Sequence, residues 1–166
     1  NLRGGASMLT IHMLGKAAVT KDGTDKVTFQ TRKADAIFYY LIITATPVER
    51  IEVAELFWPE MTLANAQKNL RTVLPDLRNM LGDYLIVNNQ QIAFNKACPH
   101  SVDLYQLQQL LADASRPAEE KYAQYVACYQ GELLAGLAVS NSINFENWLD
   151  HQRQSLQQKI IIALHK

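Results

Sequence analysis

The stretch from Thr62 to Phe94 restricts this chain more than any other. TLANAQKNLRTVLPDLRNMLGD reads as one long amphipathic helix, and YLIV and IAF around NNQQ read as a short hairpin directly behind it. Turning about 100° per residue from Leu70, the side chains of Ala66, Val73, Leu74, Leu77 and Leu81 gather on one side as a core stripe. The far side carries Asn65, Lys68, Thr72, Pro75, Asp76 and Asn79, with Arg71 and Arg78 on a flank where long cationic side chains reach outward. Such a face suits a DNA groove, but it also describes any surface helix with one solvated side. What surrounds the helix has to decide between the two.

Upstream, MLTIHMLG, AAVT and KVTFQ, with the turn-rich KDGTD between the last two, predict a small antiparallel sheet. Thr31 then caps a helix, RKADAIFYYLIITA, with a stripe of Ala34, Ile37, Phe38, Leu41 and Ala45. Tyr39, Tyr40, Ile42 and Ile43 make that helix apolar nearly all round, which places it centrally. Pro47 ends it, a shorter helix runs from about Glu49 to Phe57, and Trp58-Pro59 stops that one. From Val102 the pattern turns helical throughout, with no strand visible: VDLYQLQQLLADA, PAEEKYAQYVACYQGELLAG and INFENWLDHQRQSLQQKIIIALHK. Residues 1–7 carry no pattern.

Composition excludes several classes. At 166 residues and 48% apolar content the chain has the material for a real core. No apolar run approaches the roughly 20 residues of a membrane span, and NLRGGASM lacks the apolar centre of a signal peptide. The cytoplasm is the expected location. Cys98 and Cys128 stand apart without zinc-site or disulfide spacing. There is no Gly-rich phosphate loop, HExxH or GxSxG, and His12, His100, His151 and His165 are scattered. The expectation is therefore a non-enzyme with no catalytic residue, metal or cofactor. Trp58 and Trp148 sit beside Phe57 and Leu149 on apolar stripes and read as core rather than as stacking platforms.

Sixteen basic residues cancel sixteen acidic ones, which removes the global signature of a nucleic-acid binder. The distribution leans the other way. Met8 to Lys96 holds ten basic and nine acidic residues, Ala97 to Lys166 five and seven, and Met61 to Gly82 three and one.

Three strands, three helices and a hairpin, in that order, resemble the OmpR-type winged helix. RKADAIFYYLII, ERIEVAELFWPE and AQKNLRTVLPDLRNMLG resemble the DNA-binding half of bacterial transcriptional activators of the SARP family, LFWPE and NLRTVLPDLR most tellingly. The likeness continues through the family's YxGxLL element, here Tyr129 to Leu134, and its FExWL…R element, here Phe145 to Leu149 with Arg153. The resemblance implies an α+β chain: a winged helix-turn-helix over residues 8–96, then part of an all-α, tetratricopeptide-like transcriptional activator domain over residues 97–166. It implies a transcriptional regulator that places the Thr62 helix in the major groove of double-stranded DNA and uses the 84–94 hairpin as its wing. Asn65, Lys68, Arg71, Thr72, Arg78 and Asn79 are then the contacting residues, with Asn suited to adenine, Arg to guanine, and both cations to phosphate.

Three residues or segments depart from the family. Pro75 interrupts the hydrogen bonding of the Thr62 helix, Asp76 has the wrong sign for phosphate, and the wing tip Asn88 to Gln91 holds no cation. Affinity then depends on a second copy of the chain or on neighbouring domains. The alternative is a protein-interaction module, or the front end of a larger signalling ATPase, without DNA binding of its own.

In the last segment Phe145, Trp148, Leu149, Leu156, Ile160 and Ala163 make one stripe, and Ile161 and Ile162 point away from it. Helical repeats bury such residues by stacking a neighbour. The expectation is a piece of a longer protein, with Ile161 and Ile162 exposed or covered by a second copy.

Overall fold

The computed structural model describes residues 7–165. The lead-in before Ser7, and Lys166, lie outside the described residues. In chain order the elements are β1 (Leu9–His12), β2 (Ala18–Lys21), β3 (Asp25–Lys26), α1 (Arg32–Thr44), β4 (Val48–Glu49), α2 (Arg50–Phe57), α3 (Leu63–Leu81), β5 (Leu85–Val87), β6 (Gln91–Phe94), β7 (His100–Val102), α4 (Asp103–Ala112), α5 (Ala118–Cys128) and α6 (Ile143–Leu164). Two compact units interleave along the chain. Of the described residues, one takes 7, 27–99 and 138–147, the other 8–26, 100–137 and 148–165. Residues 8–26, with β1 to β3, thus cluster with the segment that holds α4 and α5.

In the first unit α1 is the central element. The Thr31 hydroxyl accepts from Ala34 N at 3.1 Å, and Ala45 ends the helix with φ +62°. Ala34 and Ala36 to Ile42 are all buried, as an apolar surface on every side requires. Phe38 meets Phe29, Tyr39 and Phe94 with ring centroids 5.5 to 6.2 Å apart. α3 buries Ala66, Leu70, Leu74, Leu77 and Leu81 on one stripe and remains helical through Pro75, whose side chain is exposed. Thr62 caps it, accepting from Asn65 N at 3.3 Å. β5 and β6 form the expected hairpin, and the two-residue β4 joins it, Val48 facing Ile92, in the order β4-β6-β5. Phe145 stacks on Phe57 at 4.7 Å, and the Ser142 hydroxyl donates to the Phe57 carbonyl at 2.9 Å.

The second unit holds the other sheet, order β3-β2-β1-β7. It is not purely antiparallel: β7 runs parallel to β1, Leu9 opposite His100. The expected strand KVTFQ shrinks to its edge at Asp25–Lys26. Asp103 opens α4 and closes the end of β1, its carboxylate accepting from Met13 N at 2.8 and 3.0 Å and from Leu14 N at 3.0 Å.

The second half is also not wholly helical. α5 stops at Cys128, and the following residues pair with the β1–β2 connection through bridges at Leu14–Leu133 and Lys16–Ala135. Gly131 makes this approach feasible, since a Cβ there would stand 3.2 Å from Gly15 Cα. Arg153 fastens the same segment, donating from Nε to the Leu133 carbonyl at 2.8 Å and from Nη2 to that of Leu134 at 2.9 Å. The Gly, the two leucines and the arginine of the two sequence elements thus make one hydrogen-bonded clasp. In α6, Phe145, Leu149, Leu156 and Ile160 are buried, while Ile161 and Ile162 are 52% and 61% exposed, as their angular position requires.

Candidate nucleic-acid interface

α3 presents all six expected residues to solvent: Asn65, Lys68, Arg71, Thr72, Arg78 and Asn79 are each exposed. They are not chemically equal. The Thr72 hydroxyl donates to the Lys68 carbonyl of its own helix at 3.1 Å, so its proton is already engaged. Asp76 does not stand out as a free opposing charge. It is half-buried, and its carboxylate accepts from Gln30 N at 2.7 Å, which fixes the approach to α1. Its field also reaches Asp35, whose carboxyl is held above its ordinary pKa first by burial and then by Asp76, against the opposing hydrogen bond from Phe29 and the charge of Arg32.

Sequence reasoning missed Arg50. It is the first residue of α2, and it grips the β5–β6 turn twice. Its backbone N donates to the Gln90 carbonyl at 2.8 Å and its Nη1 to the Asn88 carbonyl at 2.9 Å. Burial, followed by the like charges of Arg78 and Arg71, holds the Arg50 guanidinium below the ordinary arginine value. Three arginines from two helices therefore concentrate positive charge beside the hairpin. Two of them, Arg50 and Arg71, line a groove of about 760 Å³ together with Gln67, Asn89, Glu49 and Glu52. No sequence signal marked Arg50: the two-residue strand at Val48–Glu49 that carries it to the hairpin is visible only in the structure.

The hairpin tip is neutral and self-engaged. Asn88 Oδ1 accepts from both Gln90 N and Gln91 N at 2.8 Å, leaving Asn89 and the two glutamine side chains as its outward polar groups. Trp58 is buried under Lys33, whose ammonium lies 4.9 Å from the ring centroid, and has no open face for a base. Trp148 is half-buried. His12, His151 and His165 are exposed, and His100 packs edge-on against Tyr105. Among the described residues no helix is long and apolar enough to cross a membrane.

These features define a mixed α and β protein in which a cationic helix face and a hairpin share one compact unit. Its fold is similar to that of a solved structure, Mycobacterium tuberculosis EmbR in complex with a low-affinity phosphopeptide, with a TM-score of 0.70 and 19% identity. The match covers 95% of this chain and 44% of that one, so the chain spans less than half of the EmbR chain. No family model and no curated protein matches the sequence.

Proposed function

We propose that this chain is a DNA-binding transcriptional regulator of the SARP type, acting in the cytoplasm. α1 to α3 with the β5–β6 hairpin serve as a winged helix-turn-helix, the functional module of residues 8–96, and residues 97–166 as part of a tetratricopeptide-like activator domain. α3 enters the major groove of double-stranded DNA and the hairpin lies along the backbone. The observation that carries this reading is the gathering of Arg50, Arg71 and Arg78, with the helix's exposed polar face, beside the hairpin. Arginines gathered on one face suit an anion, and a phosphate track supplies one.

A salt-titrated fluorescence-anisotropy assay with labelled genomic fragments tests it. Binding should weaken linearly in log salt, and Lys68→Ala and Arg71→Ala should each lower affinity and flatten the slope by about 0.9. If both variants match the wild type at every salt concentration, the assigned face is wrong.

The neutral hairpin tip favours a second reading, in which the same unit docks a protein, as the front end of a larger signalling chain, and leaves DNA alone. Under that reading the chain shows no salt-dependent binding to any fragment. Either reading accommodates a second copy of the chain or further domains as partners.

A further inference from the structure

Within the second unit, α4, the loop after it, α5 and the end of α6 enclose a cavity of about 760 Å³. Its lining includes the apolar Leu111, Ile162 and Ala163 and the cationic Arg116, Lys121 and Lys159; Lys159, Ile162 and Ala163 share one face of α6. Lys121 is only 8% exposed, and its ammonium makes no hydrogen bond or ion pair among the described residues. No side-chain nitrogen or oxygen among the described residues is both fully buried and unpartnered, so the Lys121 ammonium keeps an accessible surface although the rest of its side chain is buried. The acid in its electrostatic range is Asp113, and that carboxylate is already occupied by Ser115 N at 2.9 Å, the Ser115 hydroxyl at 2.5 Å and Arg116 Nε at 3.1 Å. Arg116 is likewise engaged, by Asp113 and by Gln124 Oε1 at 2.6 Å. Lys121 and Lys159 therefore line the cavity with no ion pair of their own among the described residues.

The same lining also holds exposed apolar surface. Ile162 is 61% exposed at the cavity. One molecule meets both features if it carries a negative group at one end and an apolar body at the other. We propose that this cavity binds a small organic anion, its carboxylate or phosphate held between Lys121 and Lys159 and its apolar part laid on Leu111, Ile162 and Ala163. The volume lies within the roughly 300–1,000 Å³ of small-molecule sites.

Calorimetric titration of the whole chain with hexyl phosphate, hexanoate, hexanol and inorganic phosphate tests the proposal. At least one of the two amphiphilic anions should bind ten-fold or more tighter than hexanol and than inorganic phosphate, and the stronger of the two identifies the headgroup. Lys121→Met should cost at least ten-fold in that affinity while the melting temperature holds or rises. Should that variant fail to fold, Lys159→Met, at an exposed position, must show the loss instead. Equal binding of hexanol and the anions, or unchanged affinity in the folded lysine variant, overturns the site. So does self-association that Ile162→Asp abolishes and hexyl phosphate does not compete with, which would give the face to a second copy of the chain. None of these outcomes depends on whether the first unit binds DNA.

Discussion

Arg50 holds the Asn88 carbonyl with its Nη1 at 2.9 Å, so the residue that begins α2 also sets where the β5–β6 turn sits beside α3. Arg50→Ala removes a cation and a clamp together. DNA affinity should fall and the log-salt slope flatten by about 0.9, while folding stability drops by only about 1 kcal/mol, the worth of one exposed hydrogen bond. Arg50→Lys should restore the slope without restoring affinity fully, because an ammonium keeps the charge and loses the fork. Anisotropy titrations beside urea melts separate the two effects, and an unaltered slope in the alanine variant would remove Arg50 from the interface.

Asp76 carries opposite consequences for stability and for binding. Asp76→Ala takes the acceptor from Gln30 N and should cost about 1–2 kcal/mol. By deleting the negative charge on the proposed DNA face it should also tighten binding at low salt. A variant that is less stable and also binds more weakly would show that Asp76 acts on DNA only through the fold.

Asp35 gives the pH dependence. Its folded pKa is raised, chiefly by burial and further by Asp76, so the folded state holds its proton more tightly than the unfolded chain does. Stability from this group is therefore greatest below the unfolded value of about 3.9 and declines as pH rises through the folded value. Asp35→Asn should be more stable than the wild type near neutrality, with the advantage vanishing in acid. Denaturant melts from pH 3 to 7 check the sign, and a constant difference across that range would rule out titration as its cause.

Pro75 denies α3 one backbone donor while its ring stays in solvent. Pro75→Ala regains that bond, offset in part by a freer unfolded chain. The net gain should be about 1–2 kcal/mol, seen as a melting temperature higher by about 2–4 °C per kcal/mol. An unchanged melting temperature would mean that the surrounding packing already requires the proline backbone.

Gly131→Ala should be destabilising by about 1–3 kcal/mol, because the new methyl would press on the backbone of Gly15 at 3.2 Å and neither chain has a side chain to turn aside. Equilibrium unfolding measures this directly. A neutral substitution would mean that the clasp around Leu133 and Leu134 gives way without cost.

What the sequence made legible was local. Thr31 caps a helix, as do the residues around Thr62, the leucines of α3 repeat with helical period, and the hairpin has two apolar arms around a polar turn. The solvent-facing side of α3 follows from the same periodicity. Pairing between distant segments was not legible. β4 has two residues and merges with the start of α2, and β7 has three, whose partner is β1. Tyr129 to Gly136 read as the end of a helix, but Glu132 to Ala135 bond to the β1–β2 connection, and only Gly131 and Gly136, the latter with φ +78°, marked the break. Arg50 escaped notice for the same reason: its role is assigned by the carbonyls of Asn88 and Gln90, which no local pattern connects to it.

The parallel pairing of β1 with β7 orders events in time. As the ribosome delivers the chain, Leu9 precedes the strand that completes its sheet at His100 by about ninety residues, and at roughly 5–20 residues per second that is a wait of about 5–20 seconds. The clasp on Gly15 comes later still. Until then β1 is an apolar strand with one open edge, a template for unwanted pairing, so a synthesis pause before His100 should raise aggregation and a pause after Arg153 should not.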